Sequence, residues 1–294
     1  MNWVVVVVAL CGVSSSGPLM AATAAPAPAI AFWRNASSAA VLVPLAGSRC
    51  REELRALSAR GWRLAVVAGA TLALHFAAWV GSLKLTSVAA ATALMSTQLV
   101  WVLLIDRIRG VASPVQAVLG STLAVVGVLV VSGFDFQVST EALLGDALAV
   151  ASGFFAALYL LAGGAVRTEL TTTAYTAVCY AVCALVLLAG ALAHGDPLVG
   201  FSGRDWLLIA AVTVFAQFLG HSLFNHLLAV TSPMVVALLL LLEVPFAALL
   251  AAVFLGEAAP GGVYAGLALI LVGLAVVVTR RRVEPSVARA PLPE

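Results

Sequence analysis

Ser58-Ala59-Arg60-Gly61-Trp62 returns 144 residues later as Ser202-Gly203-Arg204-Asp205-Trp206. Outward from this pair the match continues. Leu83-Lys84-Leu85-Thr86-Ser87 returns as Leu228-Ala229-Val230-Thr231-Ser232 at a shift of 145. Pro114, Gly120 and Gly127 return as Pro260, Gly266 and Gly273 at a shift of 146. Three anchors that drift by one residue apiece mark an internal repeat. In a membrane bundle such a duplication puts a solute site between the copies, near the bilayer midplane.

The repeat lies in very apolar sequence. Of 294 residues, 63% are hydrophobic and only 10% are charged, whereas a soluble domain carries roughly 25% charge. A water-soluble fold of this size cannot hide that much apolar surface, so the composition predicts a polytopic, all-α membrane protein with little mass outside the bilayer. The net charge of +2 gives no reason to expect a nucleic-acid partner. Cys11, Cys50, Cys179 and Cys183 form no CxxC and have no histidines at metal spacing, so neither metal nor cofactor is expected. Cys179 and Cys183 read as small packing residues on one helix face.

A membrane-crossing helix needs roughly 20 apolar residues. Between charges and turn signals there are ten such stretches: 3–23, 27–46, 64–84, 88–106, 114–132, 143–165, 172–193, 206–228, 233–255 and 260–279. The first lacks the positive lead of a secretory signal and is kept as a span. Pro26-Ala27-Pro28 makes the first break and Gly133-Phe134-Asp135-Phe136-Gln137 the fifth. Thr231-Ser232-Pro233 is so short that spans eight and nine must form a tight antiparallel pair. With the N-terminus inside, twelve arginines fall in inner loops and the tail, against Lys84 and Arg204 outside. This follows the positive-inside rule and predicts a cell (plasma or inner) membrane protein with both termini cytoplasmic. Five spans per copy is odd, so the copies, 1–132 and 143–279, enter the bilayer in opposite senses, with 280–294 as a cytoplasmic tail. Arg280-Arg281-Arg282 in that tail is suited to anionic lipid headgroups. Gly262-Val263-Tyr264-Ala265-Gly266, with Gly273 beyond it, predicts close packing inside the bundle rather than a dimer face.

Ionisable side chains at the bilayer centre cost roughly 2.5–3.5 kcal/mol each, so those present need a reason. Glu243 is mid-span, just before Val244-Pro245, where proline loosens the helix. Gln98 is its equivalent at the 145 shift. Two readings stand: these residues tie neighbouring helices together, or they contact substrate, with Glu243 carrying a coupling proton. Arg34 lies inside span two; it either snorkels outward or offers a planar fork to an anionic group of the substrate. His75 and Trp79 are one turn apart on span three, and His221 and Asn225 one turn apart on span eight, with His226 adjacent. Trp79, Trp101 and Phe246 are candidate cavity walls or plain packing. Ser15 and Ser16, in Ser14-Ser15-Ser16-Gly17-Pro18, mark either an unwound hinge at a cavity or a simple kink.

The residues just quoted carry a family likeness. Gly-Val-Ser-Ser-Ser-Gly-Pro in span one, Ala31-Phe32-Trp33-Arg34-Asn35 in span two and Thr86-Ser87 before span four belong to it. So do Thr231-Ser232-Pro233, Leu242-Glu243-Val244-Pro245 and Phe254-Leu255-Gly256-Glu257. The chain resembles the drug/metabolite transporter superfamily, EamA type, as two units over positions 1–279. The second unit is the closer match; the first reads Gln98-Leu99-Val100 and Ile105-Asp106-Arg107 where the second has its carboxylate and proline. The resemblance implies ten helices, a central cavity, and movement of small metabolites, often amino acids, with export the expected direction. No GxxxxGK[ST] is present, so the drive would be an ion or solute gradient. An intramembrane enzyme would need convergent acid, base or metal residues, for which His75, His221 and Glu243 are a thin set. A non-transporting membrane subunit is the other alternative.

Overall fold

A computed structural model describes residues 2–111, 115–133 and 139–256, with single positions between 262 and 276. Every regular element among them is helical. The first span is two helices, α1 (Trp3–Ser14) and α2 (Ser16–Ala21), parted at Ser15. α3 (Ala27–Arg49) follows, then the short α4 (Arg51–Ala56) and the long α5 (Ala59–Ser82). α6 (Val88–Met95) and α7 (Gln98–Ile108) divide the fourth span. α8 (Val115–Gly133), α9 (Thr140–Val166) and α10 (Thr172–His194) are continuous. The eighth span runs as α11 (Gly203–Ala211), a π-helix (Val212–Ser222) and α12 (Leu223–Val230). α13 (Pro233–Leu240) and α14 (Glu243–Leu255) divide the ninth.

Among the described residues, eight helices are long and apolar enough to cross a membrane. The fifth expected span coincides with α8, whose apolar core is the shorter Val118–Gly127. The tenth expected span as a whole, the 134–138 loop and the arginine tail fall outside the described residues. The chain is thus a multi-pass membrane protein. Where helices start earlier than the apolar count suggests, a cap is the cause. α5 begins at Ala59 rather than 64 because Ser58 Oγ accepts the Gly61 N–H at 3.0 Å, and Arg60 and Arg63 extend the helix past the apolar edge.

The repeat anchors turn out to be helix caps. Ser202 accepts the Asp205 N–H at 3.2 Å, as Ser58 accepts that of Gly61. Ser87 accepts the Ala90 N–H at 3.1 Å and Ser232 that of Val235 at 3.3 Å. A serine at the N-cap satisfies one of the orphan amides of the first turn, so both copies start their third and fourth spans by the same local means. Only Thr231 and Ser232 separate α12 from α13, and these two helices pack together as the short connection requires.

The copies interlock rather than sit side by side. α5 lies along α9 and α10, α3 along α10, and α1 along the π-helix. Small residues permit these crossings. A Cβ on Gly12 would stand 2.5 Å from Phe215 O, and one on Gly220 would stand 2.8 Å from Val13 Cγ1, so α1 and the π-helix touch backbone to backbone. Gly273 meets Gly120 O and Ala124 on α8, an intramolecular use of the small-residue face. Lys84, just past α5, closes the end of α2 by donating to Met20 O and Thr23 O, a cation placed on helix-terminal carbonyls. Burial lowers its pKa from the usual lysine value, with the Asp205 charge acting the other way.

Candidate functional site

The two divided spans put equivalent residues at equivalent places. In span four the helix is interrupted at Ser96 and Thr97, and Gln98 opens α7. In span nine the interruption is at Leu241 and Leu242, and Glu243 opens α14. Both interruptions tighten into three-residue turns: Thr97 N–H reaches Leu94 O at 3.1 Å, and Leu242 N–H reaches Leu239 O at 3.1 Å. Pro245 cannot donate to Leu241 O, and the Val244 N–H takes that carbonyl instead at 3.3 Å. Gly153 of α9 lets the first interruption seat closely, since a Cβ there would lie 2.6 Å from Met95 O.

Glu243 and Gln98 line one small chamber together with His75, Trp79, His221, Asn225 and Tyr159. Val13, Met95 and Phe224 supply apolar wall. The chamber measures about 30 Å³, room for no more than one or two waters. His75 Nδ1 and Ser152 Oγ are 2.9 Å apart, and the His75 ring stacks on Trp79 at 5.9 Å. His221 sits against Phe76 at 5.2 Å and faces His75 and Tyr159, each at 6.5 Å. Tyr159 O–H donates to Asn225 Oδ1 at 2.5 Å, and Asn225 Nδ2 donates to Tyr180 at 3.4 Å. Six of the sequence candidates are therefore brought together.

Arg34 is fully buried beside the chamber. It does not snorkel outward. Nε donates to Gln217 Oε1 at 2.9 Å, Nη1 approaches Ser16 Oγ at 3.2 Å, and the guanidinium lies 4.1 Å above the Phe76 ring. Gln217 Nε2 in turn donates to Asn35 Oδ1 at 3.0 Å. Glu243 lies within electrostatic range of Arg34, which offsets part of the cost of a buried cation. Among the described residues, Arg34 Nη2, Trp79 Nε1 and Gln98 Nε2 are buried donors at or beside the chamber with no hydrogen-bond partner. Unmet donors in so dry a place are expensive, and such sites are commonly completed by a ligand or water.

Other candidates fall elsewhere. Ser15 donates to Gly12 O at 2.7 Å and lines a separate apolar groove on the outside of α1 and α2, so it corrects the expectation of a cavity serine. The helix is broken at Ser15, and Ser16, not Ser15, reaches the polar core by way of Arg34. Trp101 packs edge-on against Phe154 at 5.2 Å, away from the chamber. Its repeat equivalent Phe246 is 49% exposed, so this pair does not wall the cavity. His226 approaches Thr172 instead of the chamber. The residues that sequence reasoning passed over are Gln217, Tyr159 and Tyr180. Gln217 carries the same signal as Gln98, a long polar side chain in mid-span; the tyrosines were hidden among apolar aromatics. Gln217 and His221 both belong to the π-helix, a winding often found at functional sites.

Residues 143–279 match the EamA-like transporter family, part of the drug/metabolite transporter superfamily. No curated protein matches the sequence. A solved crystal structure of a protein superposes with TM-score 0.70 at 19% identity, over 96% of this chain and 98% of that chain. At that identity the likeness is one of fold.

Proposed function

We propose that this protein is a secondary transporter that exports small metabolites such as amino acids across the cell membrane by alternating access. The observation that carries the reading is the pair Gln98 and Glu243, equivalent in the repeat, each opening the second half of a divided span and both facing one chamber. Divided helices around a central site are how transporters present polar groups to a solute inside lipid. The EamA-like match over 143–279 supports the same class and gives no reason to expect an enzyme.

The site is Glu243, Gln98, His75, Trp79, His221 and Asn225, with Arg34 and Ser16 behind them. Its chemistry is amphoteric. Trp79, Gln98 and Arg34 offer donors for an anionic group, and Glu243 offers an acceptor for a cationic one, with aromatic rings between. Glu243 is also the proposed carrier of the coupling proton. We further propose ten spans in two oppositely inserted copies, 1–132 and 143–279, with both termini and the tail 280–294 cytoplasmic. Contact parity supports this: connection 50–58 meets connection 167–171, and 22–26 meets the start of α11 at Asp205, just after connection 195–202. Such meetings need four spans between the second and sixth connections, so α8 must count as one of them. A chamber of about 30 Å³ suits a closed state between two open ones.

The test is flux. Purified protein in liposomes should move a small amphoteric solute down or against an imposed gradient without ATP. A broad panel of amino acids and related metabolites that shows no protein-dependent flux under any gradient would remove the proposal.

A further inference from the structure

At the two ends of the bundle, four contacts join the copies, and they fall into two pairs. On one face Ser58 Oγ donates to Glu169 Oε2 at 3.1 Å, while Glu53 accepts from the backbone N–H of Thr171 and from its hydroxyl at 3.0 Å. On the other face the Ala24 N–H donates to Asp205 Oδ1 at 2.8 Å, while Trp33 Nε1 donates to Leu198 O at 2.6 Å. The repeat relates the two pairs connection by connection, not residue for residue: Asp205 and Trp33 have no counterpart in the first pair. Ser58 corresponds to Ser202, the cap whose hydroxyl donates to Asp205 Oδ2 at 2.6 Å. At the 145 shift Glu169 corresponds to Ala24, and Glu53 to Leu198. On each face, then, the connection leading into the third helix of one copy lies on the connection after the first helix of the other.

In both places a carboxylate makes the join, at Glu169 and at Asp205. A hydrogen bond to a carboxylate is directional and charge-assisted. At the water boundary its loss is largely made good by solvent, so such a contact can close a path without sealing it permanently. The chamber, lined by mid-helix residues such as His75, His221 and Asn225, lies between the two faces.

We infer that Ser58–Glu169 and Ala24–Asp205 are the latches of two gates, one on each side of the chamber, that open in alternation. This inference rests on the transporter reading above, but its test can be separated from it. A single reporter, Val13→Cys, lines the chamber; the four native cysteines are replaced by alanine. In oriented liposomes, a membrane-impermeant maleimide is supplied from one side at a time. Glu169→Gln should raise labelling about fivefold from the face that carries 50–58 and not from the other, the shift expected when one charge-assisted bond is reduced to a neutral one. Asp205→Asn should do the same from the opposite face alone. No rise, a rise from both sides, or the reverse assignment overturns the inference.

A second measurement uses the native background. Oxidising Ser58→Cys with Glu169→Cys, or Ala24→Cys with Asp205→Cys, should stop flux, and a reductant should restore it. Flux that continues through either crosslinked pair overturns the latch. If reduced protein moves no solute at all, the transporter reading fails, while the labelling result still decides whether these contacts gate the chamber.

Discussion

At the residue scale, the telling fact is that burial has been accepted for groups that lipid penalises. Arg34 and Glu243 lie deep in the bundle, at 0% and 3% exposure. Neither position makes sense as filler, since an unpaired charge at this depth costs several kcal/mol. Arg34 is held by Gln217, Ser16 and the Phe76 face, while Glu243 has no hydrogen-bonding protein partner among the described residues. A carboxyl left free at the chamber wall is suited to exchange a proton or meet a cationic group. Glu243→Gln should therefore abolish accumulation driven by a pH gradient while solute exchange continues. Uptake assays at matched and unmatched pH decide this; undiminished pH-driven accumulation by the variant would end the proton-carrier role. That an acid lies in mid-span was legible from sequence, because Glu243 directly follows Leu238 to Leu242. Its neighbours in space were not.

At the element scale, capping and close crossing set the geometry. Ser58 and Ser202 mark helix starts that composition alone places several residues too late, while Ser87 and Ser232 mark starts that it places correctly. Interruption is the second theme: α1 and α2, α6 and α7, α13 and α14 are each one span broken once, and span eight is underwound by its π-helix. Proline foretold the break at span nine; nothing so local foretold the one at Ser96 and Thr97, which is seated by Gly153 from α9. The crossing of α1 over the π-helix leaves no room for a methyl group. Gly12→Ala should cost about 1–3 kcal/mol, as forced overpacking does, visible as a lower melting temperature in detergent. Gly47→Ala, with open space around it, should change stability by less than about 1 kcal/mol and in the favourable direction. Equal melting temperatures for the two variants would show that the crossing is looser than described here.

At the scale of the whole molecule, the N- and C-terminal halves interdigitate and meet at both ends of the bundle. The opposed insertion proposed for the two halves rests on the charge pattern and an odd number of spans. It predicts that Arg60→Cys and Arg204→Cys, at equivalent places in the repeat and both exposed, react with an impermeant thiol reagent from opposite sides of the membrane. Labelling of both from one side would undo the inverted arrangement, and the paired gates with it.

The sequence alone determined the membrane class, most span positions, the recurrence of the serines that the fold uses as caps, and the presence of polar groups at mid-depth. All of these depend on hydrophobicity, proline and side chain-to-backbone capping, which act within a few residues. Only the tertiary structure decided which polar groups share a chamber. It turned Ser16 inward and Ser15 outward, moved Trp101 and Phe246 to the periphery, and made Gln217 the partner of Arg34 across 183 positions. Those outcomes depend on how each helix is rotated against helices far away in the chain, and in an apolar span the local pattern that would reveal rotation is nearly uniform.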